Sequence, residues 1–212
     1  MKNIVRRRSS ARIRFALRPA FAVPHAPDRA LVVRLVAGYV LLAAIGAGLS
    51  FGVFKRSPFV HPSPWMSMPP FVATSISASI GVVLAFGIVI ATRRVVGRYE
   101  WARHLHAELR PFARSLSVRQ ILVVAGLSSL GEELLFRGFL VPIAGVVGAA
   151  ALFGLAHQLK GPSRWVWMAW SGAGGLAFGA TFALTGSLVG AVIAHGLANA
   201  SNLFFLRDYD PG

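Results

Sequence analysis

Six stretches of about twenty mostly apolar residues follow one another along this chain, at about 31–54, 71–92, 120–140, 141–159, 165–184 and 187–206. Nothing else in the sequence constrains the fold as strongly. A helix crossing the bilayer core needs roughly 20 such residues. Six of them within 212 residues leave little chain for a soluble domain. The composition agrees, with 55% of residues hydrophobic and 14% charged, where soluble domains average about 25% charged. The expected architecture is all-α: a polytopic membrane helical bundle of about six transmembrane helices around a buried polar site. Arg34 lies near one end of the first run, where its side chain can snorkel to the interface. Pro142, Gly145 and Gly148 make the start of the fourth run irregular.

Charge placement orients the bundle. Residues 1–30 hold eight of the 22 Lys and Arg, and the 93–119 loop holds seven more, whereas 55–70 has only Lys55 and Arg56. The positive-inside rule puts the N-terminus and the 93–119 loop in the cytoplasm. Lys160, Arg164 and Arg207 fall on the same side. The net charge of +15 is therefore a topology signal and an attraction to anionic lipid, and no nucleic-acid partner is expected. Four segments result: 1–30, a basic cytoplasmic N-terminal segment; 31–117, two transmembrane helices and a cytoplasmic amphipathic loop; 118–206, a core of four helices; and 207–212, a C-terminal tail. The N-terminus does not read as a signal peptide, because its apolar run begins only near Leu31 and is long enough to span. Within the 93–119 loop, Trp101, Leu105, Leu109 and Phe112 recur at helical spacing. This predicts an interfacial amphipathic helix interrupted at Pro111. The stretch 61–70, HPSPWMSMPP, reads as an irregular connection. The absence of cysteine removes disulfides, thiol catalysis and cysteine-based zinc sites.

The polar residues inside the apolar runs carry the functional signal. Of seven acidic residues, only Glu132 and Glu133 lie in a predicted span, and of six histidines only His157 and His195 do. A charge near the centre of a membrane helix costs at least about 2.5–3.5 kcal/mol, so such groups are functional candidates by default. Glu133 and Arg137 are four apart and can pair along one helix face. Glu132 points about 100° away. His195 and Asn199 share a face, as do Phe153 and His157. At about 1.5 Å per residue, Glu132 and His195 each lie roughly 12 Å from the outer ends of their helices. His157 comes out deeper, roughly 24 Å from residue 141 if the fourth helix is regular. Residues 141–147 forming an irregular connection would remove that mismatch. Each feature also has a plainer reading. The Glu–Arg pair can be structural or part of a transport relay, and His195 with Asn199 can be interhelical polar glue. The pairs Gly175/Gly179 and Gly186/Gly190 read as close helix packing, and Trp165, Trp167 and Trp170 as an interfacial belt and packing.

Three motifs resemble those of one family. EELLFR (132–137) resembles the EExxxR motif of the CPBP family, FGLAH (153–157) its FxxxH motif and HGLAN (195–199) its HxxxN motif. That family takes in type II CAAX prenyl endopeptidases and bacteriocin-processing and abortive-infection membrane proteins. The resemblance covers about 118–206, which makes that segment a CPBP-like catalytic core, and the first two helices carry no signature of it. The spacing from 137 to 153 is shorter than in many members.

The resemblance implies a glutamate-type intramembrane endopeptidase. Glu132 would act as general base on a water that His157 helps to hold. His195 and Asn199 would donate to the oxyanion, and Glu133 and Arg137 would support the arrangement. No cofactor is expected. A zinc variant held by Glu132, His157 and His195 is the lesser alternative, since Asn199 is a poor zinc ligand and no HExxH is present. The expected partners are the lipid bilayer and a membrane-embedded or membrane-associated peptide substrate, in protein maturation or C-terminal sorting. An arginine-rich, cysteine-free chain of this kind looks bacterial, where a prenylated substrate is not expected, so the expected location is the inner membrane. The contrasting class is a non-catalytic membrane protein, such as a small transporter or an immunity or secretion scaffold.

Overall fold

The computed structural model describes residues 29–211. The basic 1–28 stretch of the expected N-terminal segment lies outside them. The described chain runs α1 (Arg29–Phe54), α2 (Pro70–Arg98), α3 (Glu100–Arg114), α4 (Val118–Glu133), a π-helical segment (Leu134–Leu140), α5 (Val141–Ala156), α6 (Arg164–Thr185) and α7 (Val189–Asp208). Four continuous helical stretches are long and apolar enough to cross a membrane: Arg29–Phe54, Pro70–Arg98, Val118–Ala156 and Val189–Asp208. The described residues form the all-helical bundle of an integral membrane protein, with polar residues buried in its core. Outward-facing Val40, Leu41, Phe71, Val83, Phe86 and Val147 are exposed, as lipid contact requires.

Local chemistry sets the boundaries. Pro69 and Pro70 open α2, where a missing N–H costs nothing. Ser117 caps α4 through a reciprocal capping box with Gln120. Gly186, at φ 76°, closes α6 in the left-handed conformation and lets the chain turn into α7. The amphipathic α3 buries Ala102, Leu105, His106 and Ala113. It is not interrupted at Pro111 but continues to Arg114. A proline in the last turn removes one backbone bond, and the helix ends three residues later anyway.

The expected third and fourth spans prove to be one helical stretch folded back on itself. Gly145, at φ 69° and ψ 173°, adopts a conformation essentially confined to glycine. In a straight helix Phe136 and Phe153 would stand about 25 Å apart, but their ring centroids are 4.9 Å apart. The chain therefore reverses at Gly145. Its return arm, residues 146–156, is a helix only about 16 Å long, so 141–159 is not a full span. Gly154 and Gly175 let this arm lie directly on α6: a side chain on Gly154 would come within 2.7 Å of the Met168 carbonyl. The expected span at 165–184 does form a helix, α6. Its glycines, serine and threonines keep it out of the four most apolar stretches.

The core is built from Leu134, Val141, Ala149, Phe178, Phe182, Leu188, Ala191 and Ala194. α2 packs on α7 with Gly81 against Gly190, and Ser77 both donates to the Ser187 carbonyl and accepts from the Gly190 N–H. At one end the 55–69 loop clasps the α6–α7 turn, with the His61 N–H on the Gly186 carbonyl and the Leu188 N–H on the Phe59 carbonyl. At the other end α3 touches both the segment after α5 and the residues after α7.

Candidate active site

Glu132 and Glu133 close α4, and the π segment follows at once. A π turn is frequently found at functional sites, because the extra residue re-aims neighbouring side chains. Here the run Glu132–Arg137 turns inward together. Glu132 is 9% exposed, Glu133 0% and Arg137 1%.

Glu133 is the hub. Its Oε1 lies 3.0 Å from Arg137 Nη1 and 2.8 Å from His195 Nδ1. The Arg137 contact is an ion pair at short range without hydrogen-bond alignment, so Nη1 keeps no aligned acceptor. The guanidinium gains other partners. Nη2 donates to the Gly175 carbonyl at 3.4 Å, and Cζ stands 4.2 Å from the Phe153 ring centroid and 5.3 Å from that of Phe178. The Phe178 ring also stacks on His195 at 5.3 Å.

Glu132 points elsewhere. Its Oε2 lies 3.7 Å from His157 Nε2 and 3.8 Å from His195 Nε2. Both distances exceed a hydrogen bond, and this buried oxygen has no hydrogen-bond partner. The two imidazoles are fixed from behind. His157 Nδ1 lies 2.7 Å from the Phe153 carbonyl. A carbonyl only accepts, so Nδ1 carries a proton, and Nε2 is the ring atom turned toward Glu132. His195 Nδ1 likewise donates to Glu133. The Phe153 ring packs 4.3 Å from His157, and Trp167 sits 5.8 Å away on edge.

The fold-back at Gly145 accounts for the depth of His157. Glu132 lies about 20 Å along the helix on one side of the reversal and His157 about 18 Å on the other, so both arrive at one level. Asn199 stands one turn beyond His195 on α7. Its Nδ2 donates to Ser128 Oγ at 3.1 Å, and Ser128 is one turn before Glu132 on α4. The structure thus brings Glu132 between His157 and His195, puts Glu133 and Arg137 behind His195, and sets Asn199 beside α4 rather than against Glu132. Ser128 and Phe178 were not anticipated from the sequence. The only signal for Ser128 was its four-residue spacing from Glu132; Phe178 gave none. The cavities described, about 300 and 390 Å³, lie on the outer flank between α3 and α6, lined by Trp101, Pro162, Val166 and Trp170 among others, and not at Glu132.

Residues 114–201 match the family described as type II CAAX prenyl endopeptidase Rce1-like. The matched stretch is under half of the chain, and it is similar to that family. The match includes every residue of the cluster and begins at the last residue of α3, so α1, α2 and nearly all of α3 lie outside it. It agrees with the CPBP resemblance of the three motifs. The family is one of proteases, which supports a protease of the membrane in general terms. No curated protein and no solved structure matches the chain.

Proposed function

We propose that this chain is a glutamate-type intramembrane endopeptidase acting on a membrane-associated protein or peptide. The observation that carries the reading is the buried Glu132 Oε2, without a hydrogen-bond partner and 3.7 and 3.8 Å from two imidazole Nε2 atoms. That gap suits one bridging oxygen, held by the carboxylate and by His157. In the proposed reaction Glu132 takes a proton from water as its oxygen adds to the peptide carbonyl carbon. The resulting oxyanion accepts from His195 Nε2–H and from the second N–H of Asn199 Nδ2. Glu132 then delivers the proton to the amine nitrogen as the C–N bond breaks. In this reading His195 donates through Nε2 while Nδ1 faces Glu133 Oε1. Removing one oxyanion donor from such a site costs on the order of 10²–10³ in rate.

Two imidazoles and a carboxylate match a zinc site in type. Yet among the described residues no group of three His, Asp or Glu is arranged to hold a metal ion. The metal-free reading is the one proposed. Metal analysis of purified protein, paired with activity after chelation, tests it: a stoichiometric metal whose removal abolishes activity reverses it.

The proposed setting is a bacterial inner membrane with the N-terminus in the cytoplasm, and the proposed role is maturation or C-terminal sorting of an envelope protein. The test is Glu132→Gln, which keeps size and removes the base. Cell-envelope peptides present in wild type are expected to be lost in the variant at equal expression. An unchanged peptide profile leaves a non-catalytic membrane protein as the better reading.

A further inference from the structure

The site residues are not equally held. Glu132 lies inside the continuous Val118–Ala156 stretch, and His195 and Asn199 lie inside α7, so the helices themselves fix them. His157 alone stands where a helix ends. It is the residue after Ala156, with φ −87° and ψ 66°, outside the helical region. From there a short loop leads to Ser163, the residue before α6. The position of the His157 backbone therefore depends on how that loop is anchored.

Part of the anchoring is internal. Gln158 Nε2 donates to the Leu155 carbonyl, and the Arg164 N–H donates to the Gly161 carbonyl. Gln158 Nε2 also lies 3.4 Å from Met168 Sδ on α6, and the tie to α3 comes from Glu108. Its Oε1 accepts from the Ser163 hydroxyl at 3.0 Å. Its Oε2 lies so close to Gly161 that a side chain there would meet it at 2.7 Å. Ser163 is buried, at 6% exposure. α3 is in turn fastened to the end of α7: the His106 ring donates to the Tyr209 carbonyl at 3.0 Å, its ring edges onto Phe205, and Arg110 pairs with Asp210. One amphipathic helix, almost wholly outside the family match, thus links the segment that carries His157 to the helix that carries His195 and Asn199.

We propose that Glu108 is a positioning residue for His157, acting through Ser163 and Gly161, with α3 as the brace that sets the spacing of the two histidines. Its importance for catalysis rests on the reading of His157 as part of the active site; its effect on His157 does not. Without the latch the loop gains freedom and the His157 imidazole leaves the level of Glu132. A displacement of about 1 Å at a reacting group can cost up to 10²-fold in rate.

The experiment uses the full chain in lipid nanodiscs with ¹⁵N-labelled histidine. His157, His195 and His61 resonances are assigned by single histidine substitutions. Glu108→Ala is expected to move the His157 ring signals while leaving His195 and His61 in place. Glu108→Gln keeps an acceptor for the Ser163 hydroxyl and is expected to restore the wild-type His157 signals. Ser163→Ala is expected to reproduce the Glu108→Ala shift. Unmoved His157 signals in Glu108→Ala overturn the proposal, and so do displaced His195 and His61 signals, which mark a general disturbance. In cells, Glu132-dependent envelope peptides are expected to fall on the order of ten-fold in Glu108→Ala and to return in Glu108→Gln. The resonances report on His157 whether or not the chain is a protease. A null result for Glu132→Gln therefore fails the protease reading and leaves the latch standing.

Discussion

Arg137 shows how a single charge can be kept in the middle of this bundle. It is the middle residue of Leu134–Leu140, otherwise leucine, phenylalanine and one glycine, yet it is 1% exposed. Glu133 neutralises it, the Gly175 carbonyl accepts from it, and the faces of Phe153 and Phe178 flank it. Removing one member of such a pair leaves the other buried and uncompensated, at about 3–5 kcal/mol. Arg137→Met is therefore expected to lower the thermal midpoint of the detergent-solubilised protein sharply, with a loss of about that size. Adding Glu133→Gln to Arg137→Met is expected to recover part of it, which a double-mutant cycle would measure; simple additivity would mean that the two side chains are not coupled. Of this residue-level picture, the sequence made the Glu133–Arg137 pair legible, because four-residue spacing on one helix fixes it. The bond from His195 to Glu133 was not legible. It depends on how α7 is rotated against α4, and that is set by Ala191, Ala194 and Ala198 packing inward, which no local pattern encodes.

The elements are joined through glycine at places where the cost of any other residue can be stated. Gly145 has nothing within 4 Å of where a Cβ would be, so only its backbone conformation demands glycine. Gly46 has ordinary helical surroundings, but a Cβ there would lie 2.6 Å from the Leu135 nitrogen, so only packing demands it. Gly145→Ala is expected to cost about 1–3 kcal/mol through strain at the reversal. Gly46→Ala is expected to cost a similar amount, about 1–3 kcal/mol, by pushing α1 off the π segment behind the two glutamates. Gly38→Ala, which meets nothing within 4 Å, is the control and is expected to be neutral or slightly stabilising. Equal thermal midpoints for all three would show that neither the backbone strain at Gly145 nor the packing at Gly46 matters. At this scale the helices themselves were legible, since apolar runs of the right length leave few alternatives. The reversal was not. Gly145 in the sequence suggested only an irregular start to the fourth run, and distinguishing a kink from a fold-back needs the long-range contact between Phe136 and Phe153. The extension of α2 to Arg98 was missed for a related reason: helical hydrogen bonding continues past the apolar boundary that sequence counting uses.

Across the whole molecule the two ends differ in chemistry, and each difference is testable. At one end His61 is buried against Phe182, with ring centroids 5.0 Å apart, and its Nδ1 accepts from the Ser63 N–H. Burial lowers its pKa below the usual 6.5, against a smaller opposing effect of the Ser63 bond. An unfolded chain then takes up the proton first as pH falls through about 6.5, while the folded chain resists it. The contribution of neutral His61 to stability is present above that pH and is lost progressively below it. The thermal midpoint of wild type is thus expected to fall more than that of His61→Gln between about pH 7.5 and about pH 5; parallel curves would remove His61 as the cause. The opposite end carries Arg93, Arg94, Arg98, Arg103, Arg110, Arg114, Arg119, Lys160, Arg164 and Arg207 against four acidic residues, while the His61 end has Lys55 and Arg56. The positive-inside rule then predicts that α3 and the His157 loop face the cytoplasm. Because the chain has no cysteine, single introduced cysteines report this without background. Ser67→Cys and Ala107→Cys both replace exposed residues at opposite ends. An impermeant maleimide is expected to label Ser67→Cys in intact cells and Ala107→Cys only after the membrane is opened. The reverse pattern would turn the bundle over and put the Glu108 latch on the outer face, where a substrate would meet His157 from the opposite side.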